Sequence, residues 1–319
     1  MAAASESPDQ RPTLAFITPP MTATRIQNGL DLPLPGATPR GDIVDRLGVS
    51  VVALIPEESL GIKTRVLVAE GDQVQVGTPL YCDRRDPDVL YTSPAAGTIK
   101  AIARGARRKV LSVQVEASSF DDQHELSVPE LDGADAQAVR ATLMSSGLWS
   151  TLRRRPFDRI ARSDERPAAI FVSAANTHPQ APSALDLLAG RQEDFRAGLR
   201  ALKLLTDGDV FVCTPSGEDW ANHLTEEVQH HSFSGKHPAG NVGVHIHTLL
   251  PVGPSRFVWH VGPQDVADIG ALFLNKRLST TRVVGVSGPA SSETVLVRTR
   301  RGARIEDVAS SFSAAEPRV

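Results

Sequence analysis

Cysteine is nearly missing from this chain: Cys82 and Cys213 are the only two in 319 residues, and they fall in separate segments. A four-cysteine metal or iron–sulfur site therefore cannot be assembled within it. The separation also argues against a structural disulfide and fits a reducing compartment. Long apolar runs are missing as well. None approaches the ~20 residues that cross a bilayer, so any membrane association would be peripheral. Nor is there an excess of one charge. The formal net charge of -3 gives no nucleic-acid surface. Arg107-Arg108-Lys109 and Arg153-Arg154-Arg155 read as solvated faces or partner contacts. Residues 1–20 lack the charged-then-apolar layout of a signal peptide. Residues 1–24 read as a disordered extension, with Met21 a candidate start. What is left, 41% hydrophobic and 22% charged, is ordinary for a soluble protein of two or three domains.

Two short stretches carry the most information. Glu70 to Leu80 places Gly71-Asp72 in a turn, then Val74 and Val76 two apart, then Gly77 in a second turn. Ser93 to Ile99 has a rigid Pro94 entry, a turn at Gly97 and a new strand at Thr98-Ile99. Very short strands joined by glycine corners follow from this punctuation. Together the stretches resemble the halves of a biotinyl/lipoyl-like barrel-sandwich hybrid domain, here over residues 25–117. A carrier would hold a lysine on the hairpin between the halves. That hairpin reads Asp83-Arg84-Arg85-Asp86, so the carrier lysine is absent.

Residues 118–166 form a linker with a helix from Asp135, a capping residue, to Leu148, with Gly147 as its stop. A Rossmann-like α/β domain follows over 167–290. Its expected strands are Ala169–Ala174, Asp209–Cys213, Val242–His247, Phe257–His260 and Arg282–Val286; its expected helices are Ala184–Leu205, Glu218–Gln229 and Gln264–Phe273. His237, His245, His247 and His260 fall close together, and His245 and His247 would share one face of a strand. A metal-dependent soluble enzyme using these four is the alternative function. Against it, no HExxH and no acid-rich partner accompanies them. The loop Gly235–Gly243 is glycine-rich, yet it lacks phosphate-loop spacing and should lead into a strand. Ala174 is followed by Ala175-Asn176-Thr177-His178, without the glycines of a dinucleotide turn, and Ser287-Gly288 lacks the GxSxG frame.

Several further segments, in collinear order from Arg25 to about Asp307, resemble one family. They include Asn28-Gly29-Leu30-Asp31-Leu32-Pro33, Ser146-Gly147-Leu148-Trp149, Arg155-Pro156-Phe157, His237-Pro238-Ala239-Gly240, Trp259-His260 and Leu296-Val297-Arg298-Thr299. These are similar to the NqrA family, the A subunit of the sodium-translocating NADH:quinone reductase. The resemblance implies a peripheral, non-redox subunit on the cytoplasmic face of the bacterial inner membrane, with five other subunits as partners. That complex passes electrons from NADH through flavins and an iron–sulfur centre to ubiquinone and couples this to sodium export. For this chain it implies no bound cofactor, no metal and no complete active site, with an assembly role and quinone interaction. Trp149, Arg153, Arg154, Arg155 and Phe157 are the candidate partner contacts, on the reasoning that an exposed tryptophan beside an arginine run suits an interface. The family continues past Leu296–Thr299 into a β-grasp domain. Residues 291–319 read as its opening, shortened at the C-terminus.

Overall fold

The computed structural model describes residues 22–309. The expected disorder of residues 1–21 lies outside them. Thr22–Thr24, assigned to the same extension, belong instead to strand β1 (Thr22–Arg25). After β2 (Ile43–Asp45), the chain builds a small β domain from β3 (Val51–Leu54), β4 (Thr64–Val66), β5 (Gln73–Val74), β6 (Pro79–Asp83), β7 (Asp86–Thr92), β8 (Ala96–Arg104) and β9 (Val110–Ser119). Its sheets, β3-β9-β8-β5 and β4-β6-β7, share a core of Val52, Val74, Leu80, Ile99, Val113 and Val115. This is the expected barrel-sandwich hybrid. The two informative stretches pair directly: Gln73 faces Thr98 and Val74 faces Gly97. Gly71 and Ile99, and Ile99 and Asp72, are joined by backbone hydrogen bonds of 2.9 Å. Gly97 takes φ +154, and a Cβ there would stand 2.0 Å from the Glu116 carbonyl oxygen, so only glycine lets β8 and β9 close at this corner.

Helix α1 (Ala136–Ser146) starts where the Asp135 carboxylate accepts the Ala138 N–H at 2.7 Å, and it stops at Gly147, φ +83. Next come β10 (Arg153–Arg155), β11 (Arg159–Ile160), β12 (Ile170–Ser173), α2 (Ala184–Leu187) and α3 (Gln192–Leu204). The expected single helix Ala184–Leu205 is thus broken, at a turn containing Gly190 with φ +76. Then follow β13 (Val210–Pro215), β14 (Gln229–Ser234), α4 (Val242–Leu249), β15 (Val258–Val261) and α5 (Pro263–Asn275). Two expectations fail here. Glu218–Gln229 is not a helix but a loop with one 3₁₀ turn at Ala221–His223. Val242–His247 is helical, not a strand. The sheet order is β1-β14-β13-β12-β15-β10-β11, parallel from β1 to β15 with β10 and β11 added antiparallel. Finally β17 (Val295–Arg300) pairs with both β16 (Thr281–Val286) and β2, so the strand expected at Arg282–Val286 belongs to this separate three-stranded sheet and not to the α/β sheet; α6 (Ile305–Val308) follows.

The α/β sheet is covered on both faces. Ile170, Val172, Val210 and Val212 point toward α3 and α5, whereas Phe171, Cys213 and Val258 point toward Ile246 of α4. The first core is continuous with that of the barrel-sandwich domain. Helices α3 and α5 approach until backbones touch. A Cβ on Gly198 would lie 1.9 Å from the Val266 carbonyl oxygen, and one on Gly270 would lie 1.7 Å from that of Asp194.

On the same helix Asp268 is 1% exposed, yet charged side chains reach it from three other places. Arg191, which precedes α3, bonds it at 2.8 Å; Arg282 of β16 stands at 3.4 Å and Arg301, just after β17, at 3.7 Å. Burial pushes the carboxyl up against the pull of all three guanidiniums. On the opposite face His245 is fully buried beside Phe233 and donates Nε2–H to the Ala239 carbonyl at 2.9 Å.

Asp268→Asn should cost about 3–5 kcal/mol in chemical denaturation, because it leaves converging cations without their buried partner; an unchanged midpoint would remove Asp268 from this structural role. Burial holds His245 at about 4, below its ordinary 6.5. As pH falls from 6.5 to 4 the unfolded chain takes up a proton that the folded one refuses, so stability drops, by up to about 3 kcal/mol. His245→Gln should flatten that part of the stability–pH curve, and an identical slope in the variant would show that His245 does not titrate this way.

Candidate functional site

Four parts of the molecule meet around a cleft of about 870 Å³. The barrel-sandwich domain supplies Ser59, Tyr81 and Tyr91; the turn after α1 supplies Ser146, Ser150 and Thr151. The α/β domain contributes His260, Val261 and Gly262 at the end of β15, and Arg301 to Ile305 close the far side. Apolar walls come from Leu54, Val76, Leu148 and Leu278. Charged side chains line it too: Arg153, Arg282, Arg301 and Arg304, with Glu58, Asp265 and Glu306. A cleft at a domain junction on which polar groups converge is a usual setting for a small-molecule ligand.

Tyr81 and Tyr91 are cross-strand partners on β6 and β7, stacked with ring centroids 4.6 Å apart. Burial pushes the Tyr91 hydroxyl up to about 12 and that of Tyr81 higher still. Both are therefore neutral donors at physiological pH. The Tyr91 oxygen is buried and makes no well-formed hydrogen bond among the described residues, although Ser59 comes close enough to lower its pKa slightly. A buried hydroxyl without a partner costs free energy unless something bonds to it.

His260 bonds Asp158 through Nε2 at 2.7 Å. Burial pushes the imidazole below its ordinary value, and the nearby carboxylate only partly restores it. Burial also raises Asp158, but the His260 bond and the charges of His260, Arg153 and Arg155 outweigh it and hold the carboxyl low. Asp158 and Phe157 take φ +52 and +80 in the tight turn joining β10 to β11, which is what brings Asp158 back over β15.

The arginine run is not a free solvated face. It forms β10, paired with Val258–His260. Arg153 donates to the Glu58 carbonyl oxygen at 3.0 Å and so ties the sheet to the barrel-sandwich domain. Arg154, on the other face, pairs with Glu165 at 3.0 Å and stacks over Phe257. Arg155 stands 3.6 Å from Asp158. Trp149 is 0% exposed, which overturns the exposed-tryptophan reading. It donates its indole N–H to the Ala161 carbonyl at 2.7 Å and meets Trp259 edge-on. Phe157, 74% exposed, is the one of the five that stands out into solvent.

The four histidines do not assemble. His245 and His247 are on a helix two residues apart, so one is buried and the other faces solvent. His237 contacts Thr177 at 3.1 Å, and His260 lies across the sheet with Asp158. Among the described residues no group of three or more His, Cys, Asp or Glu side chains could hold a metal ion. The glycine-rich loop leads into α4 rather than a strand, and it packs over the end of β12. There Gly240 N–H donates to Thr177 Oγ1 at 2.9 Å, and a Cβ on Gly240 would lie 2.4 Å from the Thr177 nitrogen. The sequence signals for Tyr91 and Asp158 were absent: one sits in an ordinary strand pattern, the other after a proline turn.

Residues 24–118 match the family model described as the NqrA N-terminal barrel-sandwich hybrid domain, and residues 134–278 match the NqrA second alpha/beta domain. Curated relatives are named as the A subunit of the Na(+)-translocating NADH-quinone reductase. That of Yersinia pestis bv. Antiqua (strain Angola) is 43% identical over 287 residues, covering 89% of this chain and 64% of the relative. That of Alcanivorax borkumensis is 41% identical over 288 residues, covering 89% and 64%. That of Serratia proteamaculans is 41% identical over 300 residues, covering 92% and 67%. The chain thus spans about 64% of the length of the first of these relatives. With both domain types matched in order and this identity along most of its length, the chain belongs to the NqrA family.

Proposed function

We propose that this chain is a peripheral, non-redox subunit of a sodium-pumping NADH:ubiquinone oxidoreductase, on the cytoplasmic face of the bacterial inner membrane. It holds partner subunits together and contributes to a quinone site. The observation that carries the subunit reading is the collinear match to relatives named as the A component of that enzyme. No helix among the described residues is long and apolar enough to cross a membrane, and in this reading the partners supply the spans. NADH, flavins, the iron–sulfur centre and sodium movement belong to those partners as well, and no residue here is assigned to them. The partition into residues 25–117, 118–166, 167–290 and 291–319 goes with the same proposal.

For the quinone part, the cleft between the barrel-sandwich and α/β domains has the matching chemistry. A quinone headgroup is a flat, neutral ring with two carbonyl acceptors. It takes apolar walls and hydrogen-bond donors, which here stand beside the arginines and acids that also line the cleft. The Tyr91 side chain lines the cleft, and its hydroxyl, covered by the protein and without a well-formed bond, becomes such a donor when a headgroup displaces that cover. Thr151 and Ser150 line the same cleft. Of the five candidate contacts, Phe157 remains for a partner, since its ring stands clear of this chain.

Tagged chain recovered from detergent-solubilised native membranes should bring the other subunits with it; recovery of the chain alone would overturn the subunit reading. Phe157→Ser should reduce that recovery. Tyr91→Phe should weaken binding of a short-chain ubiquinone to the purified chain by about three- to tenfold, the worth of one hydrogen bond, while leaving thermal stability unchanged or higher. Equal affinity in the variant would take the quinone out of this cleft.

A further inference from the structure

One end of the barrel-sandwich domain is crowded with cations. Lys63, Arg65, Arg84, Arg104, Arg108 and Lys109, all exposed, line a concavity of about 600 Å³. They come from three places that the fold brings together: β4 with its approach, the β6–β7 turn, and the β8–β9 hairpin. At the tip of that hairpin Arg107 and Arg108 take φ +53 and +60, which turns the chain sharply. The single acid in the lining is Glu57, 2.8 Å from Lys109. The other five have no ion-pair partner among the described residues. In a chain whose net charge is -3, this is a local concentration of positive potential that Glu57 neutralises only in part.

The rim is apolar. Leu60, in the lining, is 54% exposed, and Leu111, packed over Gly105 of the same hairpin, is 41% exposed. A soluble polyanion would use the cations and leave the leucines in water. An acidic protein segment would need fixed, directional donors, whereas four of these six exposed long side chains make no side-chain hydrogen bond or ion pair among the described residues, Arg104 and Lys109 being the exceptions. A bilayer carrying anionic headgroups uses both features. Phosphates meet the cations at the surface, the leucines enter the interface, and the flexible stems let the charged ends snorkel.

We propose that this face docks directly on anionic phospholipid headgroups, the six cations meeting the phosphates and Leu60 and Leu111 entering the interface. Ser59 lines both this concavity and the domain-junction cleft, so docking here brings the cleft toward the bilayer. Docking of this kind uses this chain's own charges. It requires neither a partner protein nor a quinone, so its failure and that of the subunit reading are separable.

The test is co-sedimentation of the purified chain with vesicles of phosphatidylcholine, alone or mixed with phosphatidylglycerol. Binding should require phosphatidylglycerol and weaken as salt rises. A basic residue near an anionic surface contributes about 1 kcal/mol, so each reversed cation should lower partitioning at least about fivefold and the pair Arg84→Glu, Arg108→Glu about thirtyfold. Arg256→Glu, on an exposed turn of the α/β domain, should change it little. Leu60→Ser with Leu111→Ser should weaken vesicle binding without altering retention on inorganic polyphosphate. Thermal melting of each variant checks that it is folded. Equal binding to phosphatidylcholine alone, or no loss in the double reversal, would overturn the proposal. Polyphosphate binding without vesicle binding would overturn it in favour of a soluble-anion site.

Discussion

Asp268 lies in a helix whose neighbours, Val266-Ala267 and Ile269-Gly270-Ala271-Leu272, are apolar and buried, and three guanidiniums close on its carboxylate. They come from the start of α3, from β16 and from the end of β17. One buried charge therefore ties the α/β domain to the three-stranded sheet that follows it. Burying a carboxylate is costly, and only several well-placed cations offset the cost. The arrangement is consequently intolerant of displacement. It is reinforced by Gly198 and Gly270, where α3 and α5 touch backbone to backbone. With α5 fixed on one side by glycines and on the other by arginines, its first turn is fixed too. That turn, at Gly262 and Asp265, is part of the cleft wall.

The opposite wall depends on a different constraint. The barrel-sandwich domain closes because Gly97 permits a contact that any side chain would block, and its strands then hold Tyr81 and Tyr91 in register. A continuous apolar core joins this domain to the α3–α5 face of the sheet. Arg153 adds a hydrogen bond across the same junction. The cleft is thus bounded chiefly by these two units, with the turn after α1 and the Arg301–Ile305 segment completing its walls.

Much of this was legible from residues. Turn chemistry at Gly71, Gly77 and Gly97 is local, and so were the barrel-sandwich pattern and the capped helix α1. The apolar runs that became β12, β13 and β15 are local signals as well. What escaped depends on tertiary partners. Val242-Gly243-Val244-His245-Ile246-His247 alternates like a strand, but its helix buries His245 and Ile246 together against the sheet. Gln229–Ser234 looks too polar for a buried strand. In the fold its polar groups are satisfied laterally, His230 by Thr214 at 2.9 Å and His231 by Thr22 and Thr24 at 2.6 and 2.8 Å. Trp149 beside three arginines suggested a surface, whereas β10 turns the arginines into cross-links and buries the indole. Asp268 did leave a signal, a charge in the middle of a helix whose flanking residues are apolar. Tyr91 left none, because an unsatisfied hydroxyl is a property of its surroundings.

The position of the cleft follows from the sheet's topology. In an open parallel sheet a ligand is expected where the strand order reverses, beyond the carboxyl ends of the strands. Here that reversal falls between β12 and β15. The space beyond β12 is taken by the loop Lys236–Asn241, held to Thr177 by the Gly240 amide and the His237 ring. Glycine at position 240 lets that loop sit directly on the backbone that follows β12, where a pyrophosphate would otherwise approach. Beyond β15, however, the chain turns straight into α5, and the antiparallel strands β10 and β11 extend the sheet without covering its end. The remaining opening lies on the β15 side and faces the barrel-sandwich domain. A fold that elsewhere accommodates a nucleotide at its crevice has its free volume moved to a domain junction, walled by tyrosines, hydroxyls and leucines together with Arg153, Arg282, Arg301 and Arg304.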